Sequence, residues 1–205
     1  MALPRLLVVF GLRGTLIERM HFSISTEGAP PPTTVLGPQR LWVRPQAVAV
    51  LQRLSKTCDL AVWSSSTRRN TFSVLHAAFG TDDPSHPNHV PFKFQWSREH
   101  TSPDEFLRVS AAEDFTTVKD LSKVWALDGG NRYTPARTIV VEDTSSKVRA
   151  FADHFVRVPG FEGVAALSRV DDAALTQLEA FIEHELLAAP DVRSHLPMVR
   201  IGESS

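Results

Sequence analysis

The 205-residue sequence carries one cysteine, Cys58, which excludes an intramolecular disulfide framework and any zinc site built on cysteines. It has no apolar run near the roughly 20 residues that cross a bilayer. The first apolar stretch, Leu6 to Phe10, lacks the length and the small-residue cleavage site of a secretory signal, and no presequence is evident before it. Neither sign of charge is in excess. Lys+Arg 22 against Asp+Glu 23 give a formal net charge of -1, so the whole molecule has no pull toward nucleic acid or acidic lipid. No internal repeat occurs, and low complexity is confined to Pro30–Pro32. The chain that remains is 42% hydrophobic and 22% charged, as expected of one soluble globular domain with an ample core. Its basic residues are 17 Arg to 5 Lys, which favours forked contacts with carboxylates or phosphates.

Periodicity predicts alternating strands and helices. Leu6–Phe10, Asp59–Trp63 and Thr138–Val141 are apolar on both faces, as in the middle of a parallel sheet. Phe92–Trp96 and Phe155–Val158 read as further strands. His21–Ile24 and Arg40–Val43 read as short strands on either side of a turn at Gly28–Thr33, and 21–43 is taken as a β-insertion or flap. Helices are expected over Gln46–Lys56 behind Pro45, from a Thr67 cap to Phe79, over Ser145–Phe151 and over Asp171–Ala188. In the last of these, Leu175, Leu178, Ile182 and Leu186 form a packing stripe, with Asp171 and Asp172 at the positive end. Lys119–Trp125 is short and partly helical, Gly129–Asn131 a turn, and 97–117 mostly polar and unassigned. The pattern is that of a doubly wound α/β fold, a parallel sheet with helices on both faces. Its candidate site lies at the carboxyl ends of the strands. Residues 1–188 are read as this domain and 189–205 as a tail.

The strand ends carry the chemistry. The first delivers Gly11-Leu12-Arg13-Gly14-Thr15-Leu16, the second Ser64-Ser65-Ser66 and the third Glu142-Asp143-Thr144; Val43-Arg44-Pro45 and Val118-Lys119-Asp120-Leu121 complete the set. Together they resemble the haloacid-dehalogenase-type (HAD) phosphatases, and more narrowly the NLI-interacting-factor and RNA polymerase C-terminal-domain phosphatases with their FCP homology domain. The resemblance runs from about Leu6 to Leu187. In that family the first motif is Asp-x-Asp-x-Thr/Val, a nucleophile and a general acid/base. The resemblance puts Gly11 at the nucleophile's place and Arg13 at the acid/base's, while Thr15 and Leu16 match. It implies Ser64 as the phosphoryl-holding hydroxyl and Lys119 as the phosphate-neutralising lysine. Glu142 and Asp143 fall in the magnesium motif, Glu142 replacing its first acid.

Phosphoryl transfer needs an oxygen nucleophile in line with the leaving group, and Gly11 offers no side chain. Magnesium needs several hard oxygen ligands, and one carboxylate is gone. We therefore expect no catalytic residue and no bound Mg²⁺, with Arg13 paired to Glu142 or Asp143 in the metal's place. Ser64 and Lys119 are left as a vestigial anion pocket. Simpler readings stand beside these. Ser64–Ser66 make an N-cap turn, Lys119 a solvated lysine, Glu142-Asp143 a stabiliser of the next helix N-terminus, and Gly11 to Gly14 an incomplete phosphate loop. His86 and His89 read as loop histidines, Trp63, Trp96 and Trp125 as core, and Trp42 as lying on an exposed insertion. Two functions follow as expectations. One is a catalytically inactive phosphatase-like adaptor or structural subunit of a larger protein or ribonucleoprotein assembly. It would be held by protein contacts, with direct nucleic-acid contact not favoured and no membrane. The other is a phospho-ligand-binding or active phosphatase using Ser64 or Asp143. The compartment is not assigned.

Overall fold

A computed structural model describes residues 3–103, 117–130, 132–169, 171–196 and 201–202. In chain order the first half contains β1 (Leu7–Phe10), β2 (Ile17–His21), β3 (Thr34–Leu36), β4 (Gln39–Val43), α1 (Ala47–Thr57), β5 (Asp59–Trp63) and α2 (Arg68–Phe79). There follow β6 (Gln95–Trp96), β7 (Ser102–Pro103), β8 (Thr117–Val118), α3 (Ser122–Trp125), β9 (Thr138–Glu142), β10 (Phe155–Arg157), α4 (Gly163–Leu167) and α5 (Ala174–Phe181). Five strands pair in parallel in the order β10-β9-β1-β5-β6. The central three strands are fully buried, as their continuous apolar runs require.

The strand side chains alternate between two layers. Val8, Phe10, Leu60, Val62, Ile139 and Val141 face α1, α2 and α5. Leu7, Val9, Ala61, Trp63 and Val140 pack on Leu121, Val124, Tyr133 and Val148. Helical segments therefore cover both faces, and the α/β architecture is as the sequence implies. Among the described residues no helix is long and apolar enough to cross a membrane.

Several elements differ from their sequence pattern. The first strand of the insertion is Ile17–His21, not His21–Ile24, and it joins β4 and β3 in a three-stranded antiparallel sheet. Two charged residues, Glu18 and Arg19, interrupt the apolar pattern of this strand, yet Glu18 is buried. Trp42 is buried too: it packs with Met20, Phe161 and Leu167, and its indole N–H donates to the Pro30 carbonyl at 2.8 Å. The segment Ser145–His154 is a run of 3₁₀ turns kinked at Val148 and Phe151, not a regular helix. Its ladder is interrupted because the Lys147 carbonyl accepts the Lys119 N–H at 2.8 Å. Thr67 occupies the cap position of α2 without a side-chain cap bond, and the Glu99 carboxylate accepts the Arg68 N–H instead. The C-terminal helix starts at Ala174 and widens into a π turn over Ile182–Leu186, yet keeps Leu175, Leu178, Ile182 and Leu186 buried. Phe92–Trp96 yields strand only at Gln95–Trp96. Most of 97–117, Asn131 and part of the tail lie outside the described residues.

Candidate functional site

Parallel register brings the three chemical strand ends together. Phe10 is opposite both Val62 and Val141, so Gly11 leaves β1 beside the ends of β5 and β9, and its N–H donates to the Val141 carbonyl at 2.9 Å. A turn then reverses the chain at Gly14, whose φ of 80° is one that glycine adopts without strain. Glycine is needed here for room as well. A Cβ at Gly14 would lie 2.5 Å from an Asp143 carboxylate oxygen. A Cβ at Gly11 would lie 2.6 Å from the Glu142 carboxyl carbon. The longer acid on β9 thus fills the space that a side chain at position 11 would enter.

Two lysines hold that acid in place. Glu142 is 1% exposed; Oε1 accepts from the Lys119 ammonium, and Oε2 from the Lys147 ammonium at 3.3 Å. Lys147 also reaches Asp143 Oδ1 at 3.2 Å. Complete burial lowers the Lys119 pKa against the pull of Glu142. Burial also works against the Lys147 ammonium, but the two carboxylates outweigh it and raise its pKa. Asp143, which burial alone would push up, is held below its ordinary value chiefly by Lys147.

Arg13 does not fill the role expected of it. Its Nε donates to Glu18 at 2.8 Å and lies 3.9 Å from Glu162, and the Glu18 hydrogen bond raises its pKa. Glu18 is the better partner because it projects from β2, directly after the turn, and is wholly buried. It also accepts the Gly163 N–H at 2.8 Å. The cation between Glu142 and Asp143 is Lys147. Ser64 is buried, and its Oγ accepts the Ser66 N–H at 3.0 Å, so it closes a local turn. Arg98 fixes that turn through the Ser65 carbonyl at 2.8 Å. Lys119 lies in the interior, against Glu142, not in solvent. His86 and His89 serve the loop after α2: His89 Nδ1 bonds the Gly80 carbonyl at 2.8 Å and His86 Nδ1 accepts the Asn88 N–H at 3.1 Å.

A cavity of about 440 Å³ opens over these strand ends, lined among others by Arg13, Arg19, Ser64, Arg98, Asp143 and Lys147. Its polar wall suits an anionic or hydrogen-bonding ligand. The donor set does not suit a hard divalent ion. Gly11 supplies no oxygen from a side chain, and while Lys147 is in place Glu142 at the end of β9 and Asp143 just after it are both neutralised by ammonium groups. Among the described residues, no three His, Cys, Asp or Glu side chains stand together as a metal cluster.

Sequence reasoning missed Lys147, Glu18 and Arg44. Lys147 was findable, since it lies four residues after Asp143 and so can return to it. Arg44 was seen only as part of a motif. It is buried and bidentate to Asp172 at 2.9 and 3.1 Å, and it donates to the Thr15 carbonyl at 3.1 Å. It thereby ties the turn after β1 to the start of α5, a contact across 128 residues that spacing does not reveal.

A five-stranded parallel sheet with its polar residues at the ends of β1, β5 and β9, and a small antiparallel insertion after β1, defines a HAD-like phosphatase-type domain. The family model of NLI interacting factor-like phosphatases matches residues 6–193, and the chain belongs to that family. Among solved structures, the chain is similar to Fcp1, an essential RNA polymerase II CTD phosphatase, with 14% identity and a TM-score of 0.47, covering 75% of this chain and 41% of that one. It is also similar to a fission yeast Fcp1 variant bound to beryllium fluoride, with 15% identity, a TM-score of 0.49 and coverage of 90% and 53%. A HAD-superfamily hydrolase from Ehrlichia chaffeensis gives 13% identity, a TM-score of 0.49 and coverage of 89% and 97%. The chain spans about half or less of the Fcp1 chains it resembles. No curated protein matches it.

Proposed function

We propose that this domain is a catalytically inactive member of its family that serves as an adaptor or structural subunit bound to other proteins. The observation that carries the reading is at the end of β1. The position that would need an oxygen nucleophile is Gly11, and the adjoining space holds a Glu142 carboxyl committed to Lys119 and Lys147. Without an attacking oxygen there is no covalent phosphoryl transfer. The remaining candidates are poorly disposed. Ser64 is turned into its own loop, and Asp143 is paired with an ammonium.

The retained cavity supports a second reading of the same domain, in which it holds a phosphorylated or otherwise anionic ligand without hydrolysing it. Arg19, Arg98 and the Ser64–Ser66 turn line that space. Both readings put function in binding.

The test is turnover of an aryl phosphate by the full chain, with Mg²⁺ and with chelator, beside native purification of the assembly and assignment of its subunits. We expect no metal-dependent turnover and a defined complex in which this chain is stoichiometric. Metal-dependent turnover by the wild-type chain that is lost in chelator and in Ser64→Ala or Asp143→Asn would overturn the inactive reading. A free monomer in cell extract would overturn the adaptor role.

A further inference from the structure

We propose that Lys147 is a built-in replacement for the divalent cation, its ammonium occupying the position between Glu142 at the end of β9 and Asp143 just after it. The reading rests on geometry, charge and backbone placement, each independent of the others.

The geometry is a bridge. Lys147 Nζ takes one oxygen from each acid, Glu142 Oε2 at 3.3 Å and Asp143 Oδ1 at 3.2 Å, as a cation bridging two monodentate carboxylates would. The other Glu142 oxygen is taken by Lys119, so that carboxylate has both oxygens in ion pairs. The charges close as well. Two carboxylates meet two ammonium groups, with Glu142 and Lys119 fully buried. Adding a divalent ion would leave a buried net charge of two unless Lys147 withdrew, and uncompensated buried charge is strongly disfavoured.

The backbone makes the cation a fixture. The Lys119 N–H donates to the Lys147 carbonyl at 2.8 Å, and the chain kinks at the next residue, Val148. The two ammonium groups that neutralise the site are thus carried by backbones joined to each other. An ammonium holds carboxylates at hydrogen-bond distance but is no Lewis acid, so it cannot activate a bound water or polarise a phosphoryl oxygen as a metal ion does. Lys147 would therefore keep the electrostatic and architectural part of the metal's role and discard the chemical part. Its neighbour Arg13, engaged with Glu18, leaves that position to it.

The inference builds on the non-catalytic reading, and the two fail separately, because this one is read by metal binding and that one by turnover. The experiment titrates the full chain with Mg²⁺ or Mn²⁺ and records thermal midpoints, with Mn²⁺ binding followed by electron paramagnetic resonance. Wild type and Lys147→Arg, which keeps the charge, should bind no Mn²⁺ and show no shift. Lys147→Met should melt lower in chelator and recover with metal, by roughly 3–5 °C at a concentration about ten times its Kd. Lys147→Met/Asp143→Asn should lose that recovery. Stoichiometric Mn²⁺ binding by the wild type overturns the proposal, and this reading does not depend on any variant folding. A folded Lys147→Met that binds no metal overturns it too.

Discussion

At the scale of single residues, the site is organised by side chains whose partners are far away in sequence. Arg44 is the clearest: a guanidinium with no exposed side-chain surface, answered by Asp172 and the Thr15 carbonyl. Removing one member of a buried pair strands the other charge, so Arg44→Ala should lose about 3–5 kcal/mol of unfolding free energy in urea titrations. Gly11 makes the opposite demand. Gly11→Ala places a methyl group against the end of a flexible chain, but that chain is buried and held by two lysines. We expect a loss of about 1–3 kcal/mol by chemical denaturation. Gly11→Asp/Glu142→Asp should recover part of what Gly11→Asp loses, a non-additivity that a double-mutant cycle reads directly. The sequence made these site positions legible as positions. Gly11, Ser64, Glu142 and Asp143 do converge at the strand ends, because buried apolar runs place β1, β5 and β9 side by side in parallel register, and Lys119 joins them by pairing with Glu142. Partner choice was not legible. Arg13 and Lys147 are both cations within reach of acids, and only the turn at Gly14 and the kink at Val148 decide which acid each meets.

Among elements, legibility follows burial on both faces. Asp59–Trp63 is a strand with the limits the sequence predicts, since nothing polar interrupts Leu60–Trp63 after the opening Asp59. Elements holding buried charges read worse: Glu18 disguises β2, and the Lys119–Lys147 backbone bond replaces a helix by kinked 3₁₀ turns. The end of the C-terminal helix shows a third case. Arg137 donates to the carbonyls of Leu186, Leu187 and Ala189 at and just past the end of the helix, and its Nε donates to the Pro4 carbonyl. Arg137→Ala should cost about 3 kcal/mol and open the backbone of 182–189 to hydrogen exchange while the central sheet stays protected. An arginine just before β9 carries no sequence mark of serving a helix fifty residues on.

For the whole molecule, the central charge cluster sets the pH range of stability. Asp143 is held below its ordinary 3.8, so its contribution is full above that value and is lost as pH falls through the depressed pKa. Lys147 is held above its ordinary 10.5, so its contribution is full below that value and fades only as pH rises through the raised pKa. Urea midpoints should therefore be set by other groups across neutral pH and fall below about pH 4, and Asp143→Asn should flatten that acid limb. The architecture that supports this cluster was visible in the alternation of strand and helix, and the family match over residues 6–193 agrees with it.

The close approach of Glu142 to Gly11 also bears on what this domain can become. An aspartate placed at position 11 meets a carboxyl already lodged there, and shortening Glu142 first abandons the lysines that hold it. Each single substitution of this pair passes through a less stable protein. The two positions therefore behave as one unit: a side chain enters position 11 only together with a change at Glu142, while exposed positions remote from the pair stay free to vary.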